Sequence, residues 1–211
     1  MNNTTKGSTS KIGILGGTFN PVHLGHLILA QNAIERYELS RILFVPCANP
    51  PHKDNSSLLS ATHRIAMLQA ATEDDPRFEI SDVETARKGP SYTVDTISEL
   101  KAAYPDASFY FIIGSDTLTE LHLWKDIYRL LTMCTFITFS RYGFDVRTIT
   151  PESLHLDAPW PERLLKEAAT LHMIDISSSE IRHRVAEGMS IRYLVPQAVG
   201  MYITEHHLYG G

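Results

Sequence analysis

Apolar runs that stop on glycine and hand over to a helical stretch set the tightest limit on how this chain can fold. Lys11-Ile-Gly-Ile-Leu15 ends on Gly16-Gly17, and Phe109-Tyr-Phe-Ile-Ile113, the clearest buried strand, ends on Gly114. A parallel neighbour can be reached only through a long crossover, usually a helix, so a strand that turns at glycine into a helix opens a parallel α/β unit. The alternation continues along the chain. Strands are predicted at 11–15, 42–46, 78–83, 109–113, 135–139 and 171–176, and helices at about 23–37, 60–73, 93–104, 116–131, 178–187 and 196–206, with a weaker one at 161–169. Residues 140–160 hold charges, prolines and little periodicity, and read as a surface insertion. The expected α/β fold is a single doubly wound parallel sheet over 11–211 with C-terminal helices, behind a loose polar tail at 1–10. Ligands of such sheets bind beyond the carboxyl ends of the strands.

Composition removes several function classes. Hydrophobic residues make up 43% of the 211 positions, which excludes global disorder. Nineteen Lys and Arg against 24 Asp and Glu give a formal charge of -5, which argues against a nucleic-acid backbone as the main partner but not against a small anion. No apolar stretch approaches the roughly 20 residues of a membrane span, and 1–10 carries no hydrophobic core of a signal peptide. Cys47 and Cys134 lie far apart, in or beside apolar runs, without metal-type spacing. They read as reduced packing residues, which fits a cytoplasmic location. The oligomeric state, homo-oligomers included, is not set by the sequence.

Two segments carry chemistry. The first, Gly16-Gly-Thr-Phe-Asn-Pro-Val-His-Leu-Gly-His26, follows a strand and opens a helix, so its N–H groups and the positive helix end converge. Gly16 and Gly17 allow a sharp turn and close approach of a ligand to the backbone. His23 and His26, three apart, share one side of the first turn and could donate to phosphate oxygens. The plain alternative is a glycine turn with one packed and one solvated histidine. A zinc pair lacks a third ligand at a familiar spacing, and neither G-x-G-x-x-G nor G-K-[ST] is present.

The second segment is Ile176-Ser-Ser-Ser-Glu-Ile-Arg182. Ser177 and Glu180 have capping-box spacing, which alone would account for one serine and the glutamate. A cap does not account for three serines plus Arg182. Hydroxyls, free N–H groups and a guanidinium form a cradle for a polyphosphate.

Together the two segments resemble the paired signatures of the nucleotidyltransferases with an H-x-G-H motif, and within that superfamily the bacterial nicotinate-nucleotide adenylyltransferases. The resemblance runs from Lys11 to about Tyr209, with intermediate landmarks at Pro50-Pro-His-Lys53, Ser91-Tyr-Thr-Val-Asp-Thr96, Gly114-Ser-Asp116 and Trp124. It departs from the common pattern at Asn20, where many members carry Asp, and at Tyr142, where proline is frequent; the latter leaves the role of Arg141 open.

The resemblance implies a Rossmann-like nucleotidyltransferase domain that transfers the adenylyl group of ATP to nicotinate mononucleotide, giving the dinucleotide and pyrophosphate in NAD biosynthesis. It implies that His23, His26 and Arg182 are catalytic, and that Gly16, Gly17, Thr18, Phe19, Ile176, Ser177 and Ser178 bind ATP. Mg2+ is expected to arrive on the ATP phosphates, without a protein cage. On the mononucleotide side stand Lys53, Ser91, Tyr92, Thr93, Asp116, Trp124 and Arg141. Trp124 offers a flat face to the pyridine ring, or is a core tryptophan. The N–H groups at Tyr92 and Thr93 face the ring's carboxylate, and Asp116 accepts from a ribose hydroxyl or caps a helix. Lys53 reaches a phosphate or is solvated. Rival readings are adenylyl transfer to phosphopantetheine or to nicotinamide mononucleotide, and a nucleotide sensor without chemistry.

Overall fold

The computed structural model describes residues 10–48, 58–141, 143–169 and 174–210. Its strands are β1 (Lys11–Gly17), β2 (Arg41–Pro46), β3 (Phe78–Ile80), β4 (Ser108–Gly114), β5 (Thr135–Phe139) and β6 (Ala168–Ala169). They form one sheet in the order β3-β2-β1-β4-β5-β6, with every pairing parallel. The helices are α1 (Leu24–Tyr37), α2 (Ala61–Thr72), α3 (Thr93–Ala103), α4 (Ser115–Leu118), α5 (Ile127–Met133), α6 (Trp160–Lys166), α7 (Ser178–Ala186) and α8 (Gln197–Glu205).

Side chains alternate between the two faces of a strand, so a sheet covered on both sides needs apolar residues at every position. On one face Leu15, Ile42, Phe44, Ile112 and Ile137 pack against Ala30 and Ala33 of α1, Met67 and Leu68 of α2, Ile181 of α7, and Val199 and Ile203 of α8. On the other, Ile12, Ile14, Leu43, Val45, Phe109, Phe111 and Phe136 pack against Val94 and Ile97 of α3, Leu130 of α5 and Leu164 of α6. The doubly wound expectation holds.

Three local expectations do not. The apolar run at 171–176 suggests the last strand, but the edge strand is Ala168–Ala169, paired with Thr138 and Phe139. Residues 174–177 are not strand, and 171–173 lie outside the described residues. Helix 116–131 is broken into α4, a 3-10 turn at Leu121–Leu123 and α5. The break lies at Trp124, whose backbone is extended, and at Asp126, which takes a left-handed φ of 50°. Phe111 and Phe136 hold the Trp124 ring edge-on at 5.9 and 6.2 Å, packing that overrides helix propensity. The stretch 140–160 is not merely a surface insertion either, since Val146 and Leu154 are buried in the second core. The tail expected at 1–10 lies, except for Ser10, outside the described residues.

One charged side chain ties the layers together. Arg64 on α2 is 1% exposed. Its Nε donates to the Leu59 carbonyl at 3.0 Å, and its Nη1 donates to the carbonyls of Thr18 and Cys47, both at 2.8 Å. Those carbonyls follow β1 and β2, so one guanidinium fixes the ends of two strands against the start of α2. Burial lowers its pKa from the ordinary value, because a charge away from water is disfavoured. Arg64→Met should leave the carbonyls unpaired, at a cost of about 3 kcal/mol. Calorimetry or circular dichroism should show Tm falling by roughly 6–12 °C for a domain of this size. An unchanged Tm would remove Arg64 as a structural tie.

Candidate active site

A cleft of about 540 Å³ opens at the carboxyl ends of β1 and β4, where the strand order reverses direction. That volume suits a small-molecule ligand. The segments singled out in the sequence meet there. Gly16, Gly17, Thr18, His23 and His26 line it from the first, and Ile176, Ser177, Ser178 and Arg182 from the second.

His23 directly precedes α1 in extended backbone, and its N–H donates to His26 Nδ1 at 3.2 Å. With Nδ1 accepting, a neutral His26 ring carries its proton on Nε2. The two imidazoles lie 3.7 Å apart between centroids, tilted by 31°. Gly25 makes room for this stack. A Cβ there would stand 3.0 Å from His23 Nδ1 and 3.1 Å from Cε1, so the imidazole would have to give way by a few tenths of an ångström. Burial, and then the charge of Arg141, lower the His23 pKa from 6.5 to about 4. Its Nδ1 is buried with no hydrogen-bond partner among the described residues.

Phe19 departs from the expected site lining. Its ring is 1% exposed and packs edge-on against His26 at 5.0 Å and near Phe44 at 5.8 Å. The residue takes a left-handed φ of 47°. That turn drives the ring under the histidine, into the core and away from the cleft.

The serines opening α7 already have partners. Ser177 is the N-cap, its Oγ accepting the Glu180 N–H at 3.1 Å, as the plain capping reading has it. Ser178 Oγ donates to the Pro21 carbonyl at 2.8 Å. Arg182 donates from Nη1 to the Asn20 carbonyl at 2.9 Å and from Nη2 to Ser179 Oγ at 3.2 Å. These bonds lock α7 against the glycine turn, so both helix N-termini, α1 and α7, border one space.

At the other end of the cleft stand Ser91, Thr93, Asp116, Trp124 and Arg141. Asp116 Oδ2 accepts from Arg141 Nη1 at 2.7 Å. Its Oδ1 is buried and has no partner among the described residues. Gly114 permits that pose, since a Cβ there would collide with Asp116 Oδ1. Ser91 Oγ accepts from the Ala48 N–H at 3.3 Å. Tyr92 caps α3 with its backbone, while its ring sits under Lys125 Nζ at 4.4 Å rather than in the cleft. Lys53 and Tyr142 lie outside the described residues.

Cys47 also lines the cleft, so it is not only a packing residue. Burial pushes its thiol up to about 11, which keeps it protonated and unreactive. Glu84, Gly25 and Gly114 line the cleft as well, and sequence reading assigned none of the three a place in the site. The glycines had a readable cue in their motif positions; Glu84 had none. Among the described residues no three His, Cys, Asp or Glu group together as a metal site.

The buried His23 ties stability to pH. An imidazole with pKa 6.5 unfolded and about 4 folded takes up its proton more readily in the unfolded chain. Its contribution is therefore fully present above 6.5 and is lost as pH falls towards 4. Denaturant unfolding of wild type and His23→Gln at pH 7 and pH 4 should show wild type losing about 3 kcal/mol more than the variant. Equal losses would contradict a neutral, buried His23.

The sequence profile of the cytidylyltransferase-like family matches residues 14–184. The "probable nicotinate-nucleotide adenylyltransferase" of Lactiplantibacillus plantarum is 43% identical over 199 residues, 94% of this chain and 88% of its own length. That of Geobacillus thermodenitrificans is 44% identical over 200 residues, 95% and 86% of the two chains. Among solved structures, Plasmodium falciparum nicotinic acid mononucleotide adenylyltransferase complexed with NaAD superposes with a TM-score of 0.75 at 22% identity, covering 95% of this chain and 97% of that one. That likeness bears on the fold, and the sequence relatives carry the assignment. On the profile match and these identities, the chain belongs to the cytidylyltransferase-like family and, within it, to the nicotinate-nucleotide adenylyltransferases.

Proposed function

We propose that this chain transfers the adenylyl group of ATP to nicotinate mononucleotide, releasing pyrophosphate, as a cytoplasmic enzyme of NAD biosynthesis. One observation supports the reading above the others. A single cleft joins two helix N-termini, two stacked histidines and Arg182 at one end to Trp124, Asp116 and Thr93 at the other. The first end suits a polyphosphate and the second a flat base with a ribose.

In this reading a phosphate oxygen of the mononucleotide attacks the α-phosphorus of ATP in line. The bond from the α-phosphorus to the bridging oxygen breaks, and its electron pair leaves with pyrophosphate. The attacking phosphate is already ionised at neutral pH, so no general base is required. Catalysis is positioning plus stabilisation of charge on the α-phosphate and the leaving group. His26 donates from Nε2, the opening N–H groups of α7 and Arg182 receive the β- and γ-phosphates, and the neutral His23 supplies hydrogen bonding without charge. The glycine turn from Gly16 to Thr18 lets the nucleotide approach the backbone. ATP enters as its Mg2+ complex.

On the mononucleotide side Trp124, held in T-shaped contact with Phe111 and Phe136, presents a face to the pyridine ring. The N–H groups opening α3 at Thr93 meet the ring's carboxylate, and Asp116 Oδ1 accepts a ribose hydroxyl. Arg141, paired with Asp116, is then held beside the mononucleotide phosphate.

Pyrophosphate release should be measured with MgATP and, in parallel, nicotinate mononucleotide, nicotinamide mononucleotide and phosphopantetheine. Strong preference for the nicotinate substrate is expected; preference for another would discard the proposed pocket, and silence with all three would favour a sensor. His26→Ala should lower kcat about a hundredfold, the size of a lost transition-state donor. Near-wild-type turnover in a folded variant would remove His26 from the chemistry.

A further inference from the structure

Asn20 lies between the phosphate end of the cleft and a part of the chain with no catalytic residue of its own. It is 3% exposed and is held at both its carbonyls. The backbone carbonyl accepts from Arg182 Nη1 at 2.9 Å. The side-chain Oδ1 accepts from Tyr209 Oη at 2.9 Å and, over a longer 3.4 Å, from the Leu59 N–H. Tyr209 follows α8 and reaches across to the turn between β1 and α1. Its φ of 62° is left-handed, a conformation unfavourable for a tyrosine. Such strain persists only where surrounding contacts over-determine it.

The phenol also faces two guanidiniums, Arg182 and Arg64, whose charges lower its pKa. Burial outweighs them and raises it above the ordinary range, so the hydroxyl remains a donor at any working pH. The path is thus Tyr209 Oη to Asn20 Oδ1, then across one residue to the Asn20 carbonyl and Arg182.

Resting on the adenylyl-transfer reading, we infer that Tyr209 is a positioning residue, whose hydroxyl orients Asn20 and thereby holds Arg182 towards the polyphosphate of ATP. Without the hydroxyl, Asn20 Oδ1 loses the shorter of its two bonds from Tyr209 and Leu59. The Asn20 peptide then gains freedom to rock, and the guanidinium hung on its carbonyl moves with it. Loss of this contact should be felt at the ATP end and not at Trp124 or Thr93. Packing alone would not separate the two substrates.

The test uses the full chain with Tyr209→Phe, which removes one oxygen and keeps the ring. Pyrophosphate release is followed while each substrate is varied in turn, and thermal unfolding is recorded beside it. We expect KM for ATP to rise about fivefold, within the range of one net hydrogen bond, while KM for the mononucleotide stays unchanged and Tm falls by no more than about 2–4 °C. In an Arg182→Lys background, removing the hydroxyl should change KM for ATP no further, because coupled residues are non-additive. An unchanged KM for ATP, an equal rise for both substrates, or the same rise in both backgrounds would overturn the inference. A wild-type chain inactive with ATP and nicotinate mononucleotide would overturn the adenylyl-transfer reading instead. Calorimetric titration with MgATP then decides the role of Tyr209, an unchanged Kd in Tyr209→Phe counting against it.

Discussion

Strand β1 lies between β2 and β4, and the rest of the molecule follows from that position. The chain winds outward from β1 to β2 and β3, then returns to β4 on the opposite side and winds out to β6. The helices after β1 and β4 therefore cover opposite faces, and their starting turns separate. A crevice at the carboxyl ends of these two strands is a consequence of connectivity rather than of any one residue. Glycine at Gly16, Gly17 and Gly114 keeps its rim low, and the two helix N-termini of α1 and α7 give it a positive field that the overall charge of -5 does not suggest.

The central strands were legible because their signal is local. Continuous apolar runs, each stopped at glycine, locate β1 and β4 within a residue or two. The edge was not. Ala168 and Ala169 carry almost no strand signal, and they pair only because Thr138 and Phe139 present an open ladder beside them. Likewise the turn at Trp124 comes from packing on Phe111 and Phe136, contacts that no helical periodicity can encode.

The two signature segments were visible by motif, yet what holds them was not. Arg64 carries no mark in the sequence beyond its place in a helical stretch, whereas it is buried among carbonyls from two separate connections, β1–α1 and β2–α2. Phe19 reads as part of the ligand turn and instead supports His26 from beneath. Asn20, a mild departure in the motif, is a junction for Arg182, Leu59 and Tyr209. These couplings span most of the chain, so only coordinates reveal them.

The two cores differ in how the ribosome delivers them. The layer on α3, α5 and α6 is made from the first two strands and the middle of the chain, and every member of its buried cluster lies at or before Leu164. The layer on α1, α2, α7 and α8 joins residues from the first third to residues beyond Ile176. Its early members on α2, Met67 and Leu68, lack the cover of α8 until Val199 and Ile203 have been translated. Such non-local closure is slow and leaves apolar surface open to wrong partners. The α7 side of the cleft is thus the last part of the molecule to be completed, and a growing chain presents its sheet and the Trp124 side of the cleft first.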